Sequence, residues 1–441
     1  MPEPVEPTVR ILIGNSTNNN LVDDLEQLWA GWWAHRLLWF ARDEDIVVLT
    51  APPQAGFLAY VTGLTGTDRS SLRFVTPPAG VEGTGRLTPD RLADQAFREA
   101  LVAAIAGRRV ETIFALWPDP AVADLARAIR ARDALAGYGF VSQGGGALVN
   151  SKAMFRAVAA GAGIPLPEGA VCMGRTDTEA AITAMVRQGH PVIVKSDFGS
   201  GAAGNRIVSP LAGVRPLGAP TVTIAADQAG VRSFLDAEWT TLTSDGRYWL
   251  VVERYHPESR PVFAEFLISD AGPQLGAHGE MVMAPVASAQ VIPAPGFAPA
   301  VLRRLVEDGH RLCGSLHAMG YRGWLSADAI VTPDEALLFT EYNGRVTGST
   351  HIYRIIGEEI VGKDYADDRL ILERVGWKVP SFESAQQKLA SAGIGYDRDS
   401  RSGVILNTAF SGGDVWYCVV AENLTEIQKY EGLVAQLFTD H

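Results

Sequence analysis

Two groups of residues in this sequence have types and spacings that could do chemistry. The first lies in PVIVKSDFGSGAAGNRIVS, where Gly199, Gly201 and Gly204 spell GxGxxG four residues after Lys195. With 45 glycines in 441 residues, that pattern arises by chance often enough to carry little weight alone. A dinucleotide-binding turn must run straight into a helix, whereas NRIVS is strand-like and Pro210 stops any helix. PVIVKSD is strand-like too, so the glycines read as a turn between two antiparallel strands, with Lys195 pointing from the first. Free backbone amides beside an ammonium would make a lid over phosphate groups; an ordinary glycine hairpin is the plainer alternative.

The second group is Asp328, followed after a turn by Glu341 and Asn343 in FTEYNGR. Residues two apart on a strand face the same side, so Glu341 and Asn343 project together and a hairpin can return them beside Asp328. Two carboxylates and an amide oxygen suit Mg²⁺ shared with nucleotide phosphates, not zinc; a solvated hairpin face is the alternative. Glycosidase chemistry finds no supporting pattern of substrate-binding aromatics. No GxxxxGK[ST] occurs, so any ATP must be held by another architecture.

The elements that must position these residues fall into three stretches. Up to about residue 145, strand-like runs (VRILIG, DIVVLT, LRFVTP, VETIFALWPD) alternate with helical ones, predicted over Asp23 to Arg42 and Thr88 to Gly107, which favours a mainly parallel sheet. SQGGGALVN (142–150) reads as a glycine linker. Then SKAMFRAVAAGAG predicts a helix ended by glycine and by Pro165 and Pro167, followed by strands YWLVVERYH and VFAEFLISD, a helix around VLRRLVEDGHRLCGSLHAMG, and the hairpin carrying Asp328 and Glu341. From about Lys363 a third segment reads as a small α/β cap. The divisions are 1–148, 149–360 and 361–441.

Lys152, Lys195, the glycine turn, VVERYH and the Asp/Glu/Asn set occur in an order that resembles the ATP-grasp superfamily of carboxylate–amine ligases, over roughly Asn150 to Tyr353. The resemblance implies a pre-ATP-grasp (Rossmann-like) α/β domain, an ATP-grasp domain of two α+β lobes and a C-terminal α/β cap. It implies ATP and Mg²⁺ as cofactors, with Lys152, Lys195, Gly199, Ser200, Gly201 and Gly204 at the phosphates. VVERYH is similar to the adenine-reading hinge, with Glu253 accepting from the adenine amino group or supporting the hinge and Tyr255 giving a backbone contact; Glu258 or Glu265 would lie near the ribose. Asp328, Glu341 and Asn343 would hold the metal, and Arg345 would join Lys195 in facing the transferred phosphoryl group. GWLSAD resembles the corresponding segment of D-alanine–D-alanine ligases, except that Ser326 stands where those enzymes have an arginine. Arg345 and Arg322 are the candidates for the missing donor. The layout as a whole resembles the pheganomycin-type peptide ligases, which implies a small carboxylic acid, such as a guanidino acid, and an amino acid or peptide amine as partners. An ATP-grasp kinase and a non-catalytic nucleotide-binding protein are the other functions kept in view.

Composition agrees with such a reading. A hydrophobic fraction of 47% supports a folded multidomain chain, and 38 Lys+Arg against 50 Asp+Glu argues against coating nucleic acid or an anionic membrane. Cys172, Cys313 and Cys418 are dispersed, which fits a reducing cytoplasm. MPEPVEPTVR does not read as a secretion signal, and no apolar run approaches a membrane span. The Trp-rich LWAGWWAHRLLWF (28–40), broken by His35 and Arg36, reads as a packed helix or a subunit interface, as of a homodimer, with an interfacial membrane helix the alternative. Asn15, Ser16 and Asn18 end the first strand, where substrates are often met, although a solvated turn would look the same. His278, His317 and His351 carry no assignment.

Overall fold

The computed structural model describes residues 7–15, 34–199 and 201–438. Its first layer is a sheet of β1 (Thr8–Ile13), β2 (Ile46–Val48), β3 (Arg73–Val75) and β4 (Arg109–Ala115), in the order β3-β2-β1-β4 and all parallel. Helices cover it, so Ile11, Leu12, Ile13, Ile46, Val47 and Val48 are all buried, and these short runs read as continuously apolar. The helix expected over 88–107 is broken in two. Asp94 leaves the helical conformation, and its side chain accepts from the Phe97 amide to cap a fresh helix Gln95–Ile105. The helix expected over Asp23 to Arg42 lies mostly outside the described residues; its described end, Ala34–Phe40, is a 3₁₀ helix.

A second, smaller sheet contains β5 (Gly169–Cys172), β6 (Val192–Ser196), β7 (Asn205–Ser209), β8 (Val222–Ile224) and β9 (Leu250–Arg254), in the order β5-β9-β6-β7-β8. β6 and β7 are antiparallel and joined by the glycine turn, as their strand-like flanks require.

The third sheet has eight antiparallel strands: β10 (Arg260–Ser269), β11 (Gly272–Met283), β12 (Ala287–Ile292), β13 (Gly323–Val331), β14 (Leu337–Asn343), β15 (Leu370–Lys378), β16 (Gly403–Leu406) and β17 (Asp414–Ala421). They run β14-β13-β10-β11-β12-β15-β17-β16. The strands of the C-terminal cap therefore continue this sheet through the pairing of β12 with β15. Strand alternation divides its two faces. Val262, Ala264, Phe266, Leu325 and Ala327 pack on the helix Pro299–Ala318, whose Gly309 admits Phe266 so closely that a Cβ would sit 2.8 Å from its ring. The opposite face carries Glu265, Ser326, Asp328, Glu341 and Asn343 and, farther along in register, Gln290 and Glu373.

Over that polar face lie the helical segment Ile352–Val361 and the N-terminal 34–40 segment. Trp39, Phe57, Ile352, Ile355, Ile371, Phe382, Leu406 and Val420 share one apolar cluster, joining the first layer to the C-terminal strands. Trp39 Nε1 donates to the Asn407 carbonyl at 3.0 Å, and Phe57 meets both Trp39 and Phe382 edge-on.

The glycine-rich stretch 142–150, expected as a linker, is a packed joint. It follows the helical turn Tyr138–Ser142 and contains a second, Gly145–Leu148, and its Gly145 and Gly146 serve close approach. A Cβ on Gly146 would lie 2.2 Å from the Pro118 carbonyl oxygen, whereas one on Gly139 would meet nothing. Gly146→Ala should therefore cost about 1–3 kcal/mol of stability through backbone displacement. Gly139→Ala should be neutral or slightly stabilising; thermal denaturation of the two variants beside the parent checks this order.

Candidate active site

Lys152 opens the helix Lys152–Gly161, and its position is set from Asp197. Ser151 caps that helix by accepting from the Met154 amide, and its hydroxyl donates to Asp197 Oδ1 at 2.7 Å. The same carboxylate oxygen accepts from the Ala153 amide, and the Lys152 amide donates to the Asp197 carbonyl at 3.1 Å. Asp197 follows Lys195 by two residues, so this docking brings both ammonium groups to one place. Lys152 Nζ donates to the Gly199 carbonyl at 3.0 Å and pairs with Glu341 at 3.1 Å. Lys195 Nζ donates to the Thr340 carbonyl at 3.2 Å and pairs with Glu253 at 2.6 Å. Between the strands, Gly199, Gly201 and Ala202 have φ of 150°, 61° and 69°, backbone that glycine adopts most readily.

The acidic residues face this group from the third sheet. Asp328 and Glu341 are register partners across β13 and β14, as are Ser326 and Asn343. The Ser326 hydroxyl donates to Asp328 Oδ1 at 2.6 Å and Asn343 Nδ2 donates to Oδ2 at 3.0 Å, while Asn343 Oδ1 accepts from Arg345 at 3.1 Å. Burial works to raise Glu341, but Lys152, Lys195 and Arg345 outweigh it and hold its carboxyl below the usual range. Burial and the Glu341 charge together raise Asp328. Two adjacent carboxylates of opposed tendency form an oxygen donor pair suited to a hard dication such as Mg²⁺, and Asn343 here turns its amide nitrogen toward that pair. Among the described residues no three His, Cys, Asp or Glu side chains converge, so such an ion would need further oxygens from a ligand.

Arg345 is held from both sides. The Gly344 amide donates to the Val149 carbonyl at 2.8 Å and the Val346 amide to the Leu116 carbonyl at 3.1 Å, and the guanidinium lies 4.6 Å from the centre of the Trp117 ring. The hairpin end of the third sheet is thereby tied to the first layer.

The structure thus brings together Lys152, Lys195, Gly199, Asp328, Glu341, Asn343 and Arg345. Gly201 and Gly204 complete the turn, and Ser200 lies outside the described residues. The other expected residues are placed as follows. Glu253 is buried between Lys195 and Arg156, 2.7 Å from the latter, where its carboxylate orients both cations. Glu265 is fully buried, and its carboxylate accepts from the hydroxyls of Thr347, Ser349 and Thr350, fastening the 347–350 turn over the sheet. Glu258 sits in a left-handed turn and lines a separate concavity with Arg260, Phe297 and Thr332. Tyr255 donates its hydroxyl to the Arg215 carbonyl and accepts from the Leu217 amide. Arg322 pairs with Asp270 and donates to the His317 carbonyl, outside the cluster.

His351 is a core residue bonded through Nε2 to Asn407 Oδ1 at 2.6 Å, and burial, aided by the Arg36 charge, pulls its pKa down to about 3. His278 Nδ1 accepts from the Ala294 amide. Sequence reasoning missed Asp197, Arg156, Trp117 and Arg36. Only Arg36 left a signal, as a charge inside an apolar run, where burial demands partners.

Three segments match family models: 34–131 the pre-ATP-grasp domain, 151–237 the ATP-binding domain of the carbamoyl-phosphate synthase L chain, and 384–434 the PGM1 C-terminal domain. Among solved structures, the chain is similar to an N5-carboxyaminoimidazole ribonucleotide synthetase in complex with ADP, at a TM-score of 0.60 and 12% identity, covering 98% of this chain and 96% of that one. It is also similar to biotin carboxylase from Campylobacter jejuni (TM-score 0.57, 14% identity, 95% and 89% covered) and to the synthetase from Thermus thermophilus (0.57, 14%, 98% and 99%). No curated protein matches the sequence. The architecture is that of the ATP-grasp superfamily: a pre-ATP-grasp domain followed by an ATP-grasp domain.

The Glu253 arrangement can be checked directly. Glu253→Ala leaves two buried cations without their shared anion and should destabilise the protein by about 3–5 kcal/mol. Glu253→Asp should lose much less, and urea denaturation of both variants would expose any error.

Proposed function

We propose that this protein is an ATP-dependent, ADP-forming ligase that joins a small carboxylic acid to the amine of an amino acid or peptide. The observation that carries this reading is the meeting of Lys152 and Lys195 with Asp328 and Glu341 beneath a glycine turn: cations for a polyphosphate on one side, an oxygen donor pair for its metal on the other. The neighbours' complexes with ADP and MgADP support ATP and Mg²⁺ as cofactors. The adenine-reading role of the 250–255 hinge, the peptide product and a guanidino acid as the acid partner belong to this proposal.

A carboxylate does not condense with an amine directly, because its leaving group would be oxide. Transfer of the γ-phosphoryl group to a carboxylate oxygen, with cleavage of the bond to the β-phosphate and departure of ADP, gives an acyl phosphate. The amine then attacks the acyl carbon, loses a proton, and phosphate leaves. Lys152 and Lys195 would hold the phosphates and offset their charge, and Arg345 would face the phosphoryl group in transfer. Asp328 and Glu341, with Asn343 turned to present its oxygen, would hold Mg²⁺, which supplies further charge neutralisation at the phosphoryl oxygens. The turn 197–204 would close over the phosphates and exclude the water that hydrolyses acyl phosphates. Among the described residues no helix is long and apolar enough to cross a membrane.

Mass spectrometry of the protein with MgATP, a panel of amino and guanidino acids and short peptides tests the reading. ADP with a product one water lighter than its two parents, formed only when acid and amine are both present, is the expected result. A phosphorylated single substrate would make the protein a kinase, and AMP would refute the acyl-phosphate route. Glu341→Gln should lower ADP formation on the order of 10²-fold or more with little loss of thermal stability, since its carboxylate serves charge and not packing. Lys195→Ala should weaken MgADP binding by calorimetry, and unchanged affinity would remove that lysine from the phosphate site.

A further inference from the structure

Lys152 and Lys195 belong to separately packed parts of the fold. The helix Lys152–Gly161 lies with the third sheet: Phe155 and Ala159 share an apolar cluster with Leu337, Phe339 and Tyr342, and the rings of Phe155 and Tyr342 meet edge-on at 5.3 Å. Lys195 lies on the smaller sheet, where Val192, Val194 and Val252 pack with Ile182, Val231 and Leu235 in a cluster of their own. Two cations that serve one polyphosphate must hold their spacing to about 0.5 Å, and two independent apolar clusters do not set it that closely.

Asp197 bridges the two parts. It is buried, and Ser151, Lys152 and Ala153 all bond to it: the Ser151 hydroxyl and the Ala153 amide to Oδ1 at 2.7 and 2.9 Å, the Lys152 amide to its carbonyl at 3.1 Å. The helix does not depend on this to begin, because Ser151 already caps it through the Met154 amide. Burying a carboxylate costs free energy, and what Asp197 adds to a helix already capped is its location. The same residue is the root of the glycine turn. Ser196 closes the turn through its hydroxyl, which donates to the Gly204 carbonyl at 3.1 Å, and Phe198 packs edge-on against Tyr248 at 5.1 Å. The turn therefore springs from the point that fixes Lys152, and it can close over phosphates without altering the spacing of the two lysines.

We infer that Asp197 is a positioning residue that, through Ser151 and Ala153, holds Lys152 at its working distance from Lys195 and so sets the affinity of the site for the phosphates of a nucleotide. This rests on the ATP-dependent reading above and adds to it the residue that fixes the two lysines relative to each other. Asp197 itself touches no phosphate; its effect passes through Lys152.

The test is a double-mutant cycle on the full chain, read by calorimetry with MgADP. Asp197→Ala should weaken MgADP about tenfold, and Asp197→Asn, which keeps Oδ1 as an acceptor, about threefold or less. In a Lys152→Met background, Asp197→Ala should cost no more than about a further twofold, because the group it positions is gone. A residue that only stabilises the fold would cost the same in both backgrounds. Parent affinity in Asp197→Ala, equal losses with and without Lys152, or Asp197→Asn no better than Asp197→Ala would overturn the assignment. Should Asp197→Ala fail to fold, Asp197→Glu, which keeps the charge but displaces the acceptor, takes its place in the cycle. Should Lys152→Met bind MgADP too weakly to titrate, the comparison of Asp197→Asn with Asp197→Ala decides. No MgADP binding by the parent overturns the nucleotide site and this assignment together. Equal losses in a protein that still ligates remove Asp197 and leave the ligase; the expected cycle in a protein that forms ADP with no acid removes the ligase and leaves Asp197 at a nucleotide site.

Discussion

A charge taken out of water must find a partner, and the polar face of the eight-stranded sheet is arranged around that constraint. Charged groups from the facing elements meet it in series: Arg156, Glu253 and Lys195 from the smaller sheet and its neighbouring helix; then Lys152 with Glu341; then Asp328, Asn343 and Arg345; then Arg36 between the fields of Glu265 and Glu373. These residues come from several elements, with Lys152 and Arg156 sharing one helix and Glu341 and Asn343 sharing β14. The smaller sheet, the helix Lys152–Gly161, the β13/β14 hairpin and the N-terminal layer can satisfy their buried charges only by meeting one another. Packing of the apolar faces sets the distances at which they meet.

This interdependence explains why joints that look loose in sequence are tight in space. Gly146 against the Pro118 carbonyl and Gly344 against Val149 are close approaches that leave no room for a Cβ, and both lie on the path tying Arg345 to the first layer. Glu265 serves the same end. Its carboxylate binds the hydroxyls of the 347–350 turn, which carries the chain away from Arg345 and over the sheet. A group that would be read as ligand-facing by its position on a strand is spent on holding the backbone beside the site.

Much of the architecture was legible in the sequence because it rests on local patterns. Strand alternation placed Asp328 opposite Glu341, the strand-like flanks of the glycine turn predicted an antiparallel pair, and Ser151 marked the start of the Lys152 helix. The roles of Glu253, Glu258 and Glu265 were not legible. Three carboxylates within thirteen residues have equal claims on a ribose or a base until the fold shows which one is buried against Arg156, which against hydroxyls and which lies at a separate concavity. The continuation of the C-terminal strands into the third sheet was hidden for a like reason, since nothing local to β12 or β15 names its neighbour.

By itself, then, the sequence determined the elements, the alternation that makes one sheet face apolar and the other polar, and the set of side chains able to hold phosphates and a hard cation. Only the tertiary structure decided which charges neutralise which. Arg36 is some three hundred residues from Val346 in the chain and 3.1 Å from its carbonyl in the fold. Periodicity records which side of a strand or helix a residue faces, but the partner across a domain boundary depends on how separate apolar surfaces pack, and no local spacing encodes that.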